Sequence, residues 1–188
     1  MLAAVYGCVE TIKNNVVFLR VLDFVLEVHC DKKTLESLKI GEKTKLYTRL
    51  EFNQDGFILY GFLEEEKVEI FERITKVSKV GHRTALKILS SVEPDELIYM
   101  IKSGDVDRLS QIPGVGRKTA ERLISELKDE EFSVALVMNR EYLDAIEALT
   151  VLGFTKSDSR EAVRKVFKPG MSAEQIVKEA LKKLSKRV

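Results

Sequence analysis

Only two cysteines, Cys8 and Cys30, occur in the 188 residues, and no C-x-x-C spacing accompanies them. A closed zinc site takes four N or S ligands, and His29 beside Cys30 has none to join it, so the plain reading is two small buried hydrophobes and no metal or other cofactor. Long apolar runs are missing too. A bilayer span needs about 20 such residues, and the longest runs, such as Val134 to Met138, fall far short. No basic-then-apolar leader opens the chain, because Met1-Leu2-Ala3-Ala4-Val5-Tyr6-Gly7 runs straight into a strand pattern. A cytoplasmic protein without membrane contact is expected. There is no excess of one charge either. Thirty-one Lys and Arg face 30 Asp and Glu, for a net +1, so any affinity for a polyanion must come from charge sorted onto one face.

What the chain does have is a short pattern used twice. Val77-Ser78-Lys79-Val80-Gly81-His82-Arg83-Thr84-Ala85 is followed by apolar Ile88, Leu89 and Val92, and Ile112-Pro113-Gly114-Val115-Gly116-Arg117-Lys118-Thr119-Ala120 by Leu123, Ile124 and Leu127. Each copy reads as a tight turn ending in Gly and feeding an amphipathic helix that begins with a basic residue and Thr. A Gly-bearing turn lets the backbone approach a ligand, and the helix start adds unpaired amides and a positive dipole end. The corner suits an anion. A Walker loop would need Gly directly before its Lys, and Arg117 stands there instead. The pattern resembles the helix-hairpin-helix motif, whose hairpin amides hold DNA phosphates without reading bases. Lys79 replaces the leading Gly of the first copy and His82 precedes Arg83 there, so the first corner is expected to bind less tightly.

The rest of the chain sorts into modules, as its length suggests. Residues 1–63 read as strands: Ala3–Ile12 and Val16–Val21 about Asn14-Asn15, then Phe24–Val28, then Lys43–Phe52 and Phe57–Phe62 about Asn53-Gln54-Asp55-Gly56, with a short helix over Lys33–Leu38. Five strands and a helix fit an OB-type barrel, and an SH3-like barrel fits nearly as well. Residues 64–130 switch to helical period and hold both repeats, with a helix starting at Glu93-Pro94-Asp95-Glu96 between them. Residues 131–139 form an apolar connection. Residues 140–188 read as three short helices: a stripe of Leu143, Ile146, Ala148, Leu149 and Leu152 ended by Gly153, a second helix capped by Ser157 or Asp158, and a third opened by the capping box Ser172 to Gln175. The fold class is therefore α+β multidomain: an N-terminal barrel, a central all-α tandem hairpin domain and a C-terminal three-helix bundle.

This order of modules, with Leu59-Tyr60-Gly61-Phe62 closing the barrel and Leu152-Gly153-Phe154 in the last module, resembles the RuvA family of Holliday junction branch migration proteins over the whole chain. The resemblance implies a homotetramer that holds four-way junction DNA open, with one or two tetramers per junction left open. It also implies a C-terminal domain that meets the RuvB ATPase motor, with the RuvC resolvase as a further partner. Its phosphate contacts fall on Gly81 and Arg83 in the first hairpin and on Gly114, Gly116, Arg117, Lys118 and Arg122 in the second. Leu152 and Phe154, beside a loop, are the expected RuvB contacts.

Two departures from the family stand out. The family's acidic pin at the junction centre uses paired acids, and the matching residues here are Gln54 and Asp55. Glu51 would add to its field if its side chain points the same way. Leu22-Asp23-Phe24-Val25 stands where the family carries a Gly-rich turn, which makes a local change of barrel shape an expectation. The second hairpin also resembles that of endonuclease-III-type DNA glycosylases, in which the residue matching Lys118 is a Schiff-base nucleophile. The Asp those enzymes pair with it would fall at Leu136, so no catalysis by this chain is expected.

Overall fold

Alternation of apolar and polar residues produces five strands: β1 (Ala4–Lys13), β2 (Val16–Val21), β3 (Phe24–Cys30), β4 (Lys43–Asn53) and β5 (Gly56–Phe62). In the computed structural model, which describes residues 2–54, 56–132, 140–168 and 170–185, they close a barrel in the order β1-β2-β3-β5-β4. Asn14 and Asn15 both take positive φ, 47° and 68°, the geometry of a two-residue hairpin turn matched to strand twist. Nonlocal pairing decides the barrel type. Helix α1 (Lys32–Ser37) lies between β3 and β4 in the chain, and β5 returns parallel to β3, with Val28 opposite Leu59 and Cys30 opposite Gly61. This is the OB arrangement, and the SH3-like alternative falls away. The approach is close: a Cβ on Gly61 would lie 2.4 Å from Val28 Cγ1. The departure at Leu22 is absorbed locally. Val21 still pairs with Phe24, while Leu22 carries φ 55° and is largely exposed. Cys30 is buried and Cys8 half-buried, both as free thiols, and burial pushes the Cys30 thiol up.

The barrel joins the helices through a shared core. Helices α2 (Glu65–Lys76), α3 (His82–Ser91), α4 (Pro94–Ser103), α5 (Val106–Ser110) and α6 (Arg117–Leu127) bury Phe71, Ile74, Ile88, Leu97, Ile101, Leu109 and Leu123 together with Tyr60 and Phe62 of β5. At about 1.5–3 kcal/mol for each large apolar side chain buried, this continuity holds strand to helix. A polar joint adds direction. The Asp31 carboxylate, fully buried, accepts from the Lys33 amide (3.1 Å), the Thr34 amide (3.3 Å) and hydroxyl (2.6 Å), and the buried Lys67 ammonium (3.1 Å). Such a pair contributes little net stability, yet removing one partner would strand the other charge. Arg49 of β4 also pairs with Glu72 of α2 at 2.8 Å. These elements form one compact unit, Met1–Val134, and Ala135–Val188 forms a second.

The second unit packs α7 (Arg140–Val151), α8 (Lys156–Val166) and α9 (Ala173–Leu184) around Tyr142, Ala145, Ile146, Leu149, Val163, Ile176 and Ala180. Ala148 and Leu152, expected in the α7 stripe, are exposed, because the face that turns inward carries Tyr142 and Ala145 instead. Gly153 (φ 97°) ends α7. Its amide donates to Thr150 O at 3.0 Å and the Phe154 amide to Leu149 O at 3.2 Å, the paired bonds of a Schellman motif. Thr155, rather than Ser157 or Asp158, caps α8, its hydroxyl accepting the Asp158 amide at 3.1 Å. Ser172 and Gln175 form the expected capping box. Most of the predicted connection, residues 133–139, lies outside the described residues.

Candidate nucleic-acid interface

The two repeats fold into corners with the same backbone. In the first, the Val80 amide donates to Val77 O at 3.0 Å, and Gly81 O accepts from Thr84 and Ala85 at 2.9 and 3.0 Å. In the second, the Val115 amide donates to Ile112 O at 2.9 Å, and Gly116 O accepts from Thr119 and Ala120 at 2.8 and 2.9 Å. Gly81 (φ −84°, ψ 165°) and Gly116 (φ −85°, ψ 167°) occupy the N-cap positions of α3 and α6, with no side chain capping either helix. Their first amides therefore face outward unpaired. Neither Gly is demanded by its conformation or by protein packing, since a Cβ at either position would meet nothing within 4 Å. The cleared space lies on the solvent side, where an anion can come up to the amides.

The turn residues differ. Gly114 takes φ 88°, and its counterpart Lys79 takes φ 64°, a left-handed conformation that costs a residue with a Cβ about 1–2 kcal/mol. Around the corners, Arg83, Arg117 and Lys118 are exposed and Arg122 is half-buried. Arg117 makes surface ion pairs with Asp107 (3.3 Å) and Glu121 (3.5 Å), contacts weak enough to exchange for a phosphate. A cation that sequence reading passed over, Lys87, comes to the second corner, its Cδ 3.8 Å from where a Gly114 Cβ would stand. It is the repeat counterpart of Arg122, which is the signal that could have found it. The carboxylate of Glu126 on α6 accepts the Ser78 amide at 3.2 Å, tying one hairpin to the other.

The hairpin expected to carry the pin leans on the first corner. Asn53 pairs with Gly56 across its tip, Gln54 is exposed, and Asp55 lies outside the described residues. Glu51 turns to the first corner: its carboxylate accepts a bond from His82 Nδ1 at 2.7 Å. The His82 ring stacks on Tyr60 with centroids 5.5 Å apart and 16° between planes. Burial, and next the Glu51 charge, push the Tyr60 phenol up to about 12, so it stays a neutral donor. The first residue of α3 thus ties the corner to the barrel, where its counterpart Arg117 is left exposed. Among the described residues no group of three or more His, Cys, Asp or Glu could hold a metal ion.

Comparison with known proteins assigns the chain in three parts. Residues 1–61 match the RuvA N terminal domain, 71–129 a SAM-like helix-hairpin-helix tandem, and 142–185 the RuvA C-terminal domain. The subunit named Holliday junction branch migration complex subunit RuvA from Thermotoga maritima is 44% identical over 188 residues, covering all of both chains. That of Fervidobacterium nodosum is 44% identical over 189 residues, covering 99% of this chain and all of its own. The chain belongs to the RuvA family. Within the RuvA C-terminal domain, the structure separates the two expected contacts. Leu152 is 59% exposed, beside Val151 at 81%, whereas Phe154 is half-buried and packs on the domain's own core. No helix among the described residues is long and apolar enough to cross a membrane.

Proposed function

We propose that this chain binds four-way Holliday junctions through the DNA backbone, as a homotetramer, and loads a RuvB-type ATPase motor that drives branch migration in recombination and repair. The carrying observation is the pair of corners with matching hydrogen bonds and N-cap dihedrals, each with an open N-cap Gly and flanking cations. Phosphate contacts fall to Gly81 and Arg83, and to Gly114, Gly116, Arg117, Lys118 and Arg122. Residues 1–63 supply the barrel and the Gln54-Asp55 pin, 64–130 the DNA corners, and 140–188 the motor contact, with Leu152 as its exposed apolar anchor. Four equivalent arms meeting one surface of a fourfold ring make the symmetry of ligand and protein agree. The ATPase resides in the motor, and this subunit does no chemistry on DNA. RuvC is a further partner on the same junction.

Native mass measured with a four-way junction and with linear duplex of equal length tests the reading. A tetramer or octamer that forms a defined complex with the junction and not with the duplex is expected. Equal complexes with both, or a covalent borohydride-trapped adduct on damaged DNA that disappears in Lys118→Ala, would overturn it.

A further inference from the structure

Phe52 and Phe57 face each other directly across the β4–β5 ladder, yet they are 76% and 65% exposed. Strand alternation puts them on the same face as Leu50 and Leu59, which pack into the barrel core. Beyond the end of the barrel that face has no protein beneath it. One exposed Phe is ordinary, but two in register make a single flat apolar platform at the root of a projecting hairpin.

Its neighbours define what it meets. Glu51, next to Phe52, is bonded to His82 at 2.7 Å, and His82 directly follows Gly81 of the first phosphate corner. By the same alternation Glu51 and His82 lie on the opposite face of the ladder, so the rings and the first corner occupy the two faces of one hairpin, and exposed Asn53 and Gln54 follow on the tip side. Uncharged rings on a hairpin whose other face meets the first corner suit base faces, on which they stack without regard to sequence. Inside continuous duplex those faces are hidden by stacking, and a branch point uncovers them. Contact with a second copy is the weaker fit, since two aromatic side chains bury about 150–250 Å² each, well under the roughly 800 Å² per partner of a stable interface.

We propose that Phe52 and Phe57 form a stacking platform for the base faces exposed where strands exchange at a four-way junction. This rests on the junction-binding reading above. The hairpin then separates strands by occupying the gap with rings, in addition to any repulsion from its tip.

The chain contains no Trp, so Phe57→Trp installs a lone fluorescent reporter. Its emission should be quenched on adding a four-way junction, and neither by linear duplex nor by raising protein concentration without DNA. In parallel, 2-aminopurine at the branch point should change emission with the wild-type protein and not with Phe52→Ala/Phe57→Ala. That double variant should lose roughly five- to hundredfold in junction affinity with an unchanged salt slope, because no charge is removed. An indole that responds equally to junction and duplex, while junction preference persists, would overturn the platform and leave junction binding standing. A wild-type protein with no junction preference would instead remove the reading beneath it. Dissociation of the DNA-free oligomer in the double variant, seen by sedimentation, would reassign the platform to contact between copies.

Discussion

The two hairpin corners share a backbone and use it differently. At the second, Gly114 takes the left-handed turn without strain, and Arg117 and Lys118 stand exposed for a ligand. At the first, Lys79 holds the same turn at a cost, and the residue matching Arg117 is His82, committed to Glu51 and Tyr60 of the barrel. One corner keeps its cations at the surface. The other has its first helical side chain drawn to the barrel, tying α3 to the strand that leads into the hairpin at Gln54. Repetition of a motif therefore duplicates the backbone site while its side chains diverge in role.

The difference can be broken most sharply at the N-cap glycines. Gly116→Val should change unfolding stability by less than about 0.5 kcal/mol, since no protein atom lies within 4 Å of the new Cβ. It should nevertheless weaken junction binding roughly ten- to hundredfold by blocking charge-assisted amide contacts. Gly81→Val should lose less. Anisotropy titrations beside urea melts would show this, and equal losses at both positions would erase the distinction. Next in size, Lys118→Ala should weaken all junction sequences alike and reduce the log–log salt slope by about 0.9 for each contact removed, measured across a salt series. A sequence-dependent loss would contradict backbone recognition.

Smaller effects sharpen the comparison within the protein itself. Lys79→Gly should raise stability by about 0.5–1 kcal/mol, the relief of left-handed strain offset by added chain entropy, as read by chemical denaturation. Gly114→Lys should lower it by a similar amount. The smallest effect is one of pH. The Tyr60 phenol, ordinarily near 10.0, is raised to about 12 in the fold. The folded state holds this proton more tightly than the unfolded chain, so the stabilisation is complete below pH 10 and is lost as pH rises from about 10 to about 12. Urea midpoints across that window should fall for the wild type and fall less for Tyr60→Phe.

Local patterns in the sequence were legible, and contacts between distant residues were not. The strands and α1 end within two residues of where alternation and turn chemistry put them, because each depends on neighbours. The choice between OB and SH3-like barrels needed the β3–β5 pairing, which joins segments about 30 residues apart. The Glu51–His82 bond spans a similar separation, and nothing in either residue's surroundings along the chain announces it. In the C-terminal unit the stripe was read in part: Leu143, Ile146 and Leu149 reach the core. Tyr142 and Ala145 turn inward while Ala148 and Leu152 turn out. Phe154 looked like a surface anchor beside a loop because spacing cannot distinguish one from the residue that seals a Schellman end.

The core shared by β5 and the helices has a consequence for dissection. Tyr60 and Phe62 belong to the barrel in sequence and to the helical module in space, so a fragment cut after the last strand would leave its helices facing water where two aromatic rings had been. The repeats look like a portable cassette, but the smallest piece that keeps their packing intact includes the barrel that precedes them.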